Sequence, residues 1–171
     1  GFEVSLMKQF AKDIGVKLVI KNMDFDSLLV ALETGKIDCI AGAMNITNER
    51  KKSVDFSDVY YTGDSYFLIN KSDKDKLVNA KSFNGKTVGA QNGTLQSTMI
   101  SKDMPQANGK GLAKLSSLVI GLQSHKYDGV LMDALQRHTH LIILTSTPLI
   151  QSYRLAPAEL PLPFQRVTLP S

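Results

Sequence analysis

Few side chains in this chain are suited to chemistry. Arg50 is the only arginine in residues 1–133, set among 16 lysines. A planar guanidinium grips a carboxylate with two parallel hydrogen bonds, which an ammonium cannot do. On residue type alone, the run Arg50-Lys51-Lys52 reads first as a solvated charged turn. Asp133 directly follows the apolar run Gly129–Met132 and reads either as a cap or as a partner for a cation. Asn92-Gly93-Thr94 is a turn opening a helix, where backbone N–H groups and the dipole favour an anion. An ordinary capped helix is the other reading. His125, His138 and His140 are the candidates for acid–base work. His125 falls in a turn and reads as solvated. His138 and His140, two residues apart without further ligands, make a weak metal motif. Cys39, alone, excludes an internal disulfide and a multi-cysteine metal centre; it reads as a buried strand residue.

The elements that must position these groups are legible in part. Phe2, Leu6, Phe10 and Ile14 recur at helical spacing, with Gly15 where a C-cap belongs. Val16–Ile20 alternates like a strand. Asp26 or Ser27 can cap a helix through Leu28, Leu29 and Leu32, which Gly35 ends. Ile37–Ala41, Tyr66–Ile69 and Lys86–Ala90 read as strands. Strands alternating with helices predict an α/β class with mainly parallel sheets.

Composition bounds the function. The net charge of +4 is too mild to indicate nucleic-acid binding, and the lysines are interleaved with aspartates without a basic–aromatic stripe. No apolar run is long enough to cross a membrane. Gly1 opens directly onto an amphipathic pattern, so no signal peptide is expected within these residues. The averages conceal a break. All 12 glycines, all 16 lysines and all 12 aspartates lie within residues 1–133, while five of six prolines fall between Pro148 and Pro170. Residues 134–171 therefore read as a divergent, proline-rich tail.

One internal echo stands out. Ser27–Ile40 (SLLVALETGKIDCI) lies on Ser117–Val130 (SLVIGLQSHKYDGV) at an offset of 90, with five of fourteen positions identical. Each copy reads as helix, tight turn, Lys-x-Asp and buried strand. Two related α/β lobes would explain it.

Four segments carry a resemblance in consistent order: GFEVSLMKQFAKDIGVKL, NMDFDSLLVALETGKIDCIAGAMNITNERKKSVDFSDVYY, GKTVGAQNGTLQS and KYDGVLMD. Together they resemble the bacterial extracellular amino-acid-binding proteins of ABC importers, the family 3 solute-binding proteins. The resemblance implies a two-lobed, type II periplasmic-binding-protein-like α/β fold. It is expected to be incomplete, lacking the first strand and most of the C-terminal portion. Lobe 1 is expected over 1–68, lobe 2 over 69–133, and the tail 134–171 holds the rest of lobe 2 and a return strand. The hinge is expected near Tyr66–Asn70.

By the same resemblance, Arg50 holds the ligand's α-carboxylate. Asn45 matches a hydroxyl position that contacts the ligand. Ala43 replaces a usual glycine whose carbonyl meets the α-amino group, and Met44 lies between them. Phe25 forms an aromatic wall. Thr94 and the backbone N–H of Leu95 face an anion, Gln91 reads the ligand's side chain, and Asp133 pairs with the α-ammonium. The implied partners are a free amino acid and a membrane permease, with no cofactor, no metal and no nucleic acid. The implied molecule is a monomer, periplasmic or extracellular, with a lipid anchor as one way of holding it at the membrane. Two other functions use the same scaffold: an enzyme acting on a cyclic carboxylic acid, and the sensing domain of a receptor.

Overall fold

The structure is a computed structural model that describes residues 1–133, 150–154 and 165–166. In chain order its main elements are α1 (Phe2–Asp13), α2 (Leu28–Glu33), β1 (Tyr61–Thr62), β2 (Ser65–Asn70), β3 (Thr87–Gln91), α3 (Leu95–Asp103), β4 (Asn108–Leu112), α4 (Leu115–Gln123), β5 (Gly129–Asp133), β6 (Ile150–Arg154) and β7 (Gln165–Arg166). The described residues form two compact units. Unit 1 holds Gly1–Thr62 with Gln165 and Arg166; unit 2 begins at Gly63. The division falls at Thr62/Gly63 rather than 68/69, because β2 belongs whole to the second sheet.

Unit 2 is built on one five-stranded sheet of order β4-β3-β5-β2-β6. β3 is parallel to β4 and β5, whereas β2 is antiparallel to β5 and β6. The sheet is therefore mixed rather than mainly parallel. Parallel pairing needs a crossover, and α3 and α4 supply it only between β3, β4 and β5. Alternation along β2 and β5 sends side chains to both faces. Phe67, Ile69 and Leu131 join Val88, Met99 and Ile100 on one side. Leu68, Val130 and Met132 join Leu118, Val119 and Leu122 on the other. A helix thus covers each face. β2 is laddered on both edges, so the segment Tyr66–Asn70, where the hinge is expected, lies inside a sheet.

Unit 1 departs further from expectation. α1 ends at Gly15 (φ +72°) as predicted, with Val16 N–H donating to the Ala11 carbonyl at 2.9 Å. Its buried residues are Met7 and Ala11, not the Phe2–Leu6–Phe10–Ile14 stripe; Phe2, Leu6 and Ile14 are exposed. Apolar residues at 6/7 and 10/11 offer two adjoining stripes, and packing selects the second. Neither Asp26 nor Ser27 makes a capping bond to α2; a 3₁₀ turn over Phe25–Ser27 runs directly into it. Val16–Ile20 and Ile37–Ala41 form no ladder among the described residues, where unit 1 has one strand ladder, β1 with β7, and a single bridge residue at Asn45. Val16, Val19 and Ile20 are exposed, since alternation makes a strand only when a neighbour supplies the hydrogen bonds. Cys39 is accordingly half-buried and outside any strand.

The echo is structural as well as sequential. Thr34, Gly35, Lys36 and Ile37 donate to the carbonyls of Val30, Leu32, Ala31 and Ala31. Ser124, His125, Lys126 and Tyr127 donate to those of Ile120, Leu122, Gly121 and Gly121, each pair shifted by 90. Gly35 (φ +68°) and His125 (φ 59°) share the left-handed turn position. The strand following the turn forms only in the second copy, as β5.

Candidate functional site

In unit 1 the segment Ala43–Arg50 folds back on itself. Thr47 Oγ1 accepts the Arg50 N–H at 3.2 Å and starts the 3₁₀ turn Arg50–Lys52. Lys51 and Lys52 project outward, and Lys52 meets Glu49 at 2.8 Å on the surface. Arg50 is turned the other way. Its Nη1 donates to the Asn45 carbonyl at 2.6 Å, and its guanidinium carbon lies 5.8 Å from the Phe25 ring centroid, within cation–π range. Burial pulls the guanidinium below its ordinary pKa, as desolvation disfavours the charged form. The solvated reading of the Arg50-Lys51-Lys52 run therefore holds for the lysines and not for the arginine.

Asn45 is 4% exposed, and its Nδ2 is buried with no hydrogen-bond partner among the described residues. An unmatched buried amide donor is costly, of order 1–3 kcal/mol, and calls for an acceptor. Met44 is buried beside it. Ala43 adopts φ 52°, a region that favours glycine. Its N–H donates to Glu3 Oε1 at 2.5 Å, and the same oxygen accepts the Tyr60 hydroxyl at 2.8 Å. Glu3 lies one helical turn before Met7 on α1, so the misplaced stripe hid it.

In unit 2 the candidate groups gather at the carboxyl ends of β3 and β5. Thr94 caps α3: its Oγ1 donates to the Gln91 carbonyl at 2.7 Å and accepts the Ser97 N–H at 3.3 Å. The N–H groups of Leu95 and Gln96 open the helix, where no intrahelical acceptor precedes them. Gln91 Nε2 donates to the Ala113 carbonyl at 2.9 Å, fixing the side chain to the chain just beyond β4. Val88 pairs with Gly129 and Gly89 with Val130, and the same offset sets Asp133 level with Asn92. Asp133 is 4% exposed. Gln96, overlooked in the sequence, is buried and donates to Ser65 Oγ at 3.0 Å, tying α3 to β2. His125 lies at the opposite end of β2, beside Asn70 (3.2 Å), whereas Ser65 pairs with Asp133. His138 and His140 lie outside the described residues. Among the described residues no cluster of three or more His, Cys, Asp or Glu side chains could hold a metal.

Each unit thus assembles its own share of the expected residues: Phe25, Ala43, Met44, Asn45 and Arg50 in one; Gln91, Thr94, Leu95 and Asp133 in the other. The family model for bacterial extracellular solute-binding proteins, family 3, matches residues 1–143. The chain belongs to this family. An arginine-binding extracellular protein of Bacillus subtilis (strain 168) is 36% identical over 135 residues, 78% of this chain and 52% of that protein. A probable histidine-binding protein of Campylobacter jejuni is 37% identical over 133 residues, 78% of this chain and 51% of its own. An L-arginine-bound amino acid ABC transporter substrate-binding protein from Streptococcus pneumoniae superposes with a TM-score of 0.90 at 27% identity, over 98% of this chain and 69% of that one. Holo arginine-binding protein from T. maritima gives 0.86 at 30% identity, over 98% and 71%. This family 3 chain has the α/β fold of type II periplasmic binding proteins and spans about half the length of the curated relatives it matches. The family is extracellular, which places its members in the periplasm or outside the cell.

Proposed function

We propose that this chain is the ligand-binding part of an extracellular receptor that takes up a free amino acid and delivers it to the permease of an ABC importer. One observation carries the reading: a desolvated guanidinium held at 2.6 Å on the Asn45 carbonyl, with the Asn45 amide donor, unmatched among the described residues, on the same short segment. Together they are what an α-carboxylate needs, a fork of charged donors and one neutral donor. Phe25 packs under the guanidinium and walls the site. In unit 2, Asp133 is the partner for an α-ammonium, Thr94 and Leu95 add donors at a helix start, and Gln91 meets the ligand's side chain. The two sets match the two ends of a zwitterion in charge.

The names of the relatives make arginine, histidine and glutamine the first ligands to try. Binding without turnover is supported by the position of His125, at the end of β2 away from Asp133. The receptor works as a monomer and needs no nucleic acid; a lipid anchor on the full-length protein would keep it near the permease. A thermal-shift screen of the twenty amino acids tests the reading. Stabilisation by one or two of them supports it. No shift with any of them rejects it for this chain.

A further inference from the structure

We propose that Glu3 is a positioning residue for the segment Ala43–Arg50, an inference that rests on reading that segment as the carboxylate site. Glu3 is half-buried on the face of α1 that carries Met7 and Ala11. A single oxygen, Oε1, accepts both the Ala43 N–H at 2.5 Å and the Tyr60 hydroxyl at 2.8 Å. Hydrogen bonds to an ionised carboxylate are shorter and roughly twice as strong as neutral ones. Both donors are remote in sequence, so the carboxylate ties three separate stretches of unit 1 together.

The tie falls where the backbone most needs it. Ala43 has φ 52°, a conformation that a side chain disfavours and that persists only when its surroundings impose it. That angle aims the next two residues: Met44 goes into the core, and Asn45 turns its carbonyl to Arg50 while its amide stays buried and unmatched. The two bonds that Glu3 accepts come from Ala43 and Tyr60. Glu3 acts through Ala43, by holding the peptide that sets the direction of Asn45 and Arg50.

The test compares the 171-residue chain with Glu3→Ala, Glu3→Gln and Tyr60→Phe. Amide NMR without ligand is the first readout. The Ala43 amide proton should lie downfield in the parent, and the Asn45 side-chain and Arg50 guanidinium signals should move in Glu3→Ala while those of unit 2 do not. Glu3→Gln keeps an acceptor oxygen and should restore most of the parent pattern; Tyr60→Phe, which keeps the ring, should move the Ala43 signal with the fold intact. Titrations with L-arginine, L-histidine and L-glutamine follow, and affinity should fall about tenfold in Glu3→Ala. Unchanged Asn45 and Arg50 signals in both Glu3→Ala and Tyr60→Phe would overturn the proposal. If none of the twenty amino acids of the thermal-shift screen binds the parent chain, the receptor reading fails, while the NMR comparison still decides the role of Glu3.

Discussion

Arg50 and Asn45 are five residues apart and joined by one short contact, Nη1 to carbonyl oxygen at 2.6 Å. The bond fixes the long arginine side chain. Ordering such a side chain costs about 0.5–1.5 kcal/mol on binding, so holding it in advance favours affinity. The Phe25 ring beneath it limits the remaining freedom. The geometry is costly, since it desolvates the guanidinium and leaves the Asn45 amide donor unmatched among the described residues.

That cost makes Asn45 a discriminating position. Asn45→Ala removes a buried donor that has no partner among the described residues, so stability should stay within about 0.5 kcal/mol or rise. Amino-acid affinity should fall about tenfold, one hydrogen bond's worth. Denaturant unfolding and calorimetry on the same sample check both. A merely structural asparagine would lose stability and leave affinity alone.

Ala43 is strained at φ 52°. Relief of left-handed strain is worth about 1–2 kcal/mol, offset by about 0.4–1 kcal/mol of extra unfolded-chain entropy for glycine. Ala43→Gly should therefore stabilise the chain by about 0.5–1 kcal/mol. Urea unfolding measures it; destabilisation would contradict the strained conformation.

Much of unit 2 was legible from residues. The strand expected over Lys86–Ala90 forms one residue along as Thr87–Gln91, and the Gly93-Thr94 turn and Asp133 at a strand end lie where expected, because each is encoded within a few neighbours. The direction of β2 was not, since no crossover helix marks an antiparallel entry. In unit 1, Val16–Ile20 has strand alternation but no described partner, and alternation alone cannot supply one. Arg50 was visible as a lone arginine, yet whether it turned inward depended on Asn45 and Phe25, which the run Arg50-Lys51-Lys52 could not reveal. Glu3 escaped notice because the buried face of α1 lies one residue along from the apparent stripe.

Gly129 opens β5 against a ring. A Cβ there would sit 2.6 Å from Phe83 Cε1, and Phe83 is stacked on Phe67 with ring centroids 4.3 Å apart. Neither ring has room to retreat in this core. Gly129→Ala should cost about 1–3 kcal/mol, the range for overpacking. Thermal unfolding reads the loss; an unchanged melting temperature would contradict the packing.

Burial pushes the Cys39 thiol up in pKa, and neighbouring Asp38 adds to the shift. A raised thiol pKa means less thiolate near neutrality, so Cys39 should alkylate more slowly than a free cysteine. The raised folded-state pKa favours the folded chain while the thiol is protonated, and this contribution fades as the pH rises through it. Asp38→Asn removes the acidic neighbour and should speed alkylation at pH 8. Iodoacetamide labelling followed by mass spectrometry checks the order of the rates.

The central claim is that Arg50 receives an amino-acid carboxylate. Titration calorimetry of L-arginine, L-histidine and L-glutamine into the chain and into Arg50→Ala tests it most directly. The expected result is saturable one-site binding of at least one of them to the parent. In Arg50→Ala, which should keep its cooperative unfolding transition, that affinity should drop at least about 100-fold, the weight of a lost charged fork. Equal affinity in the parent and the folded variant would contradict the account.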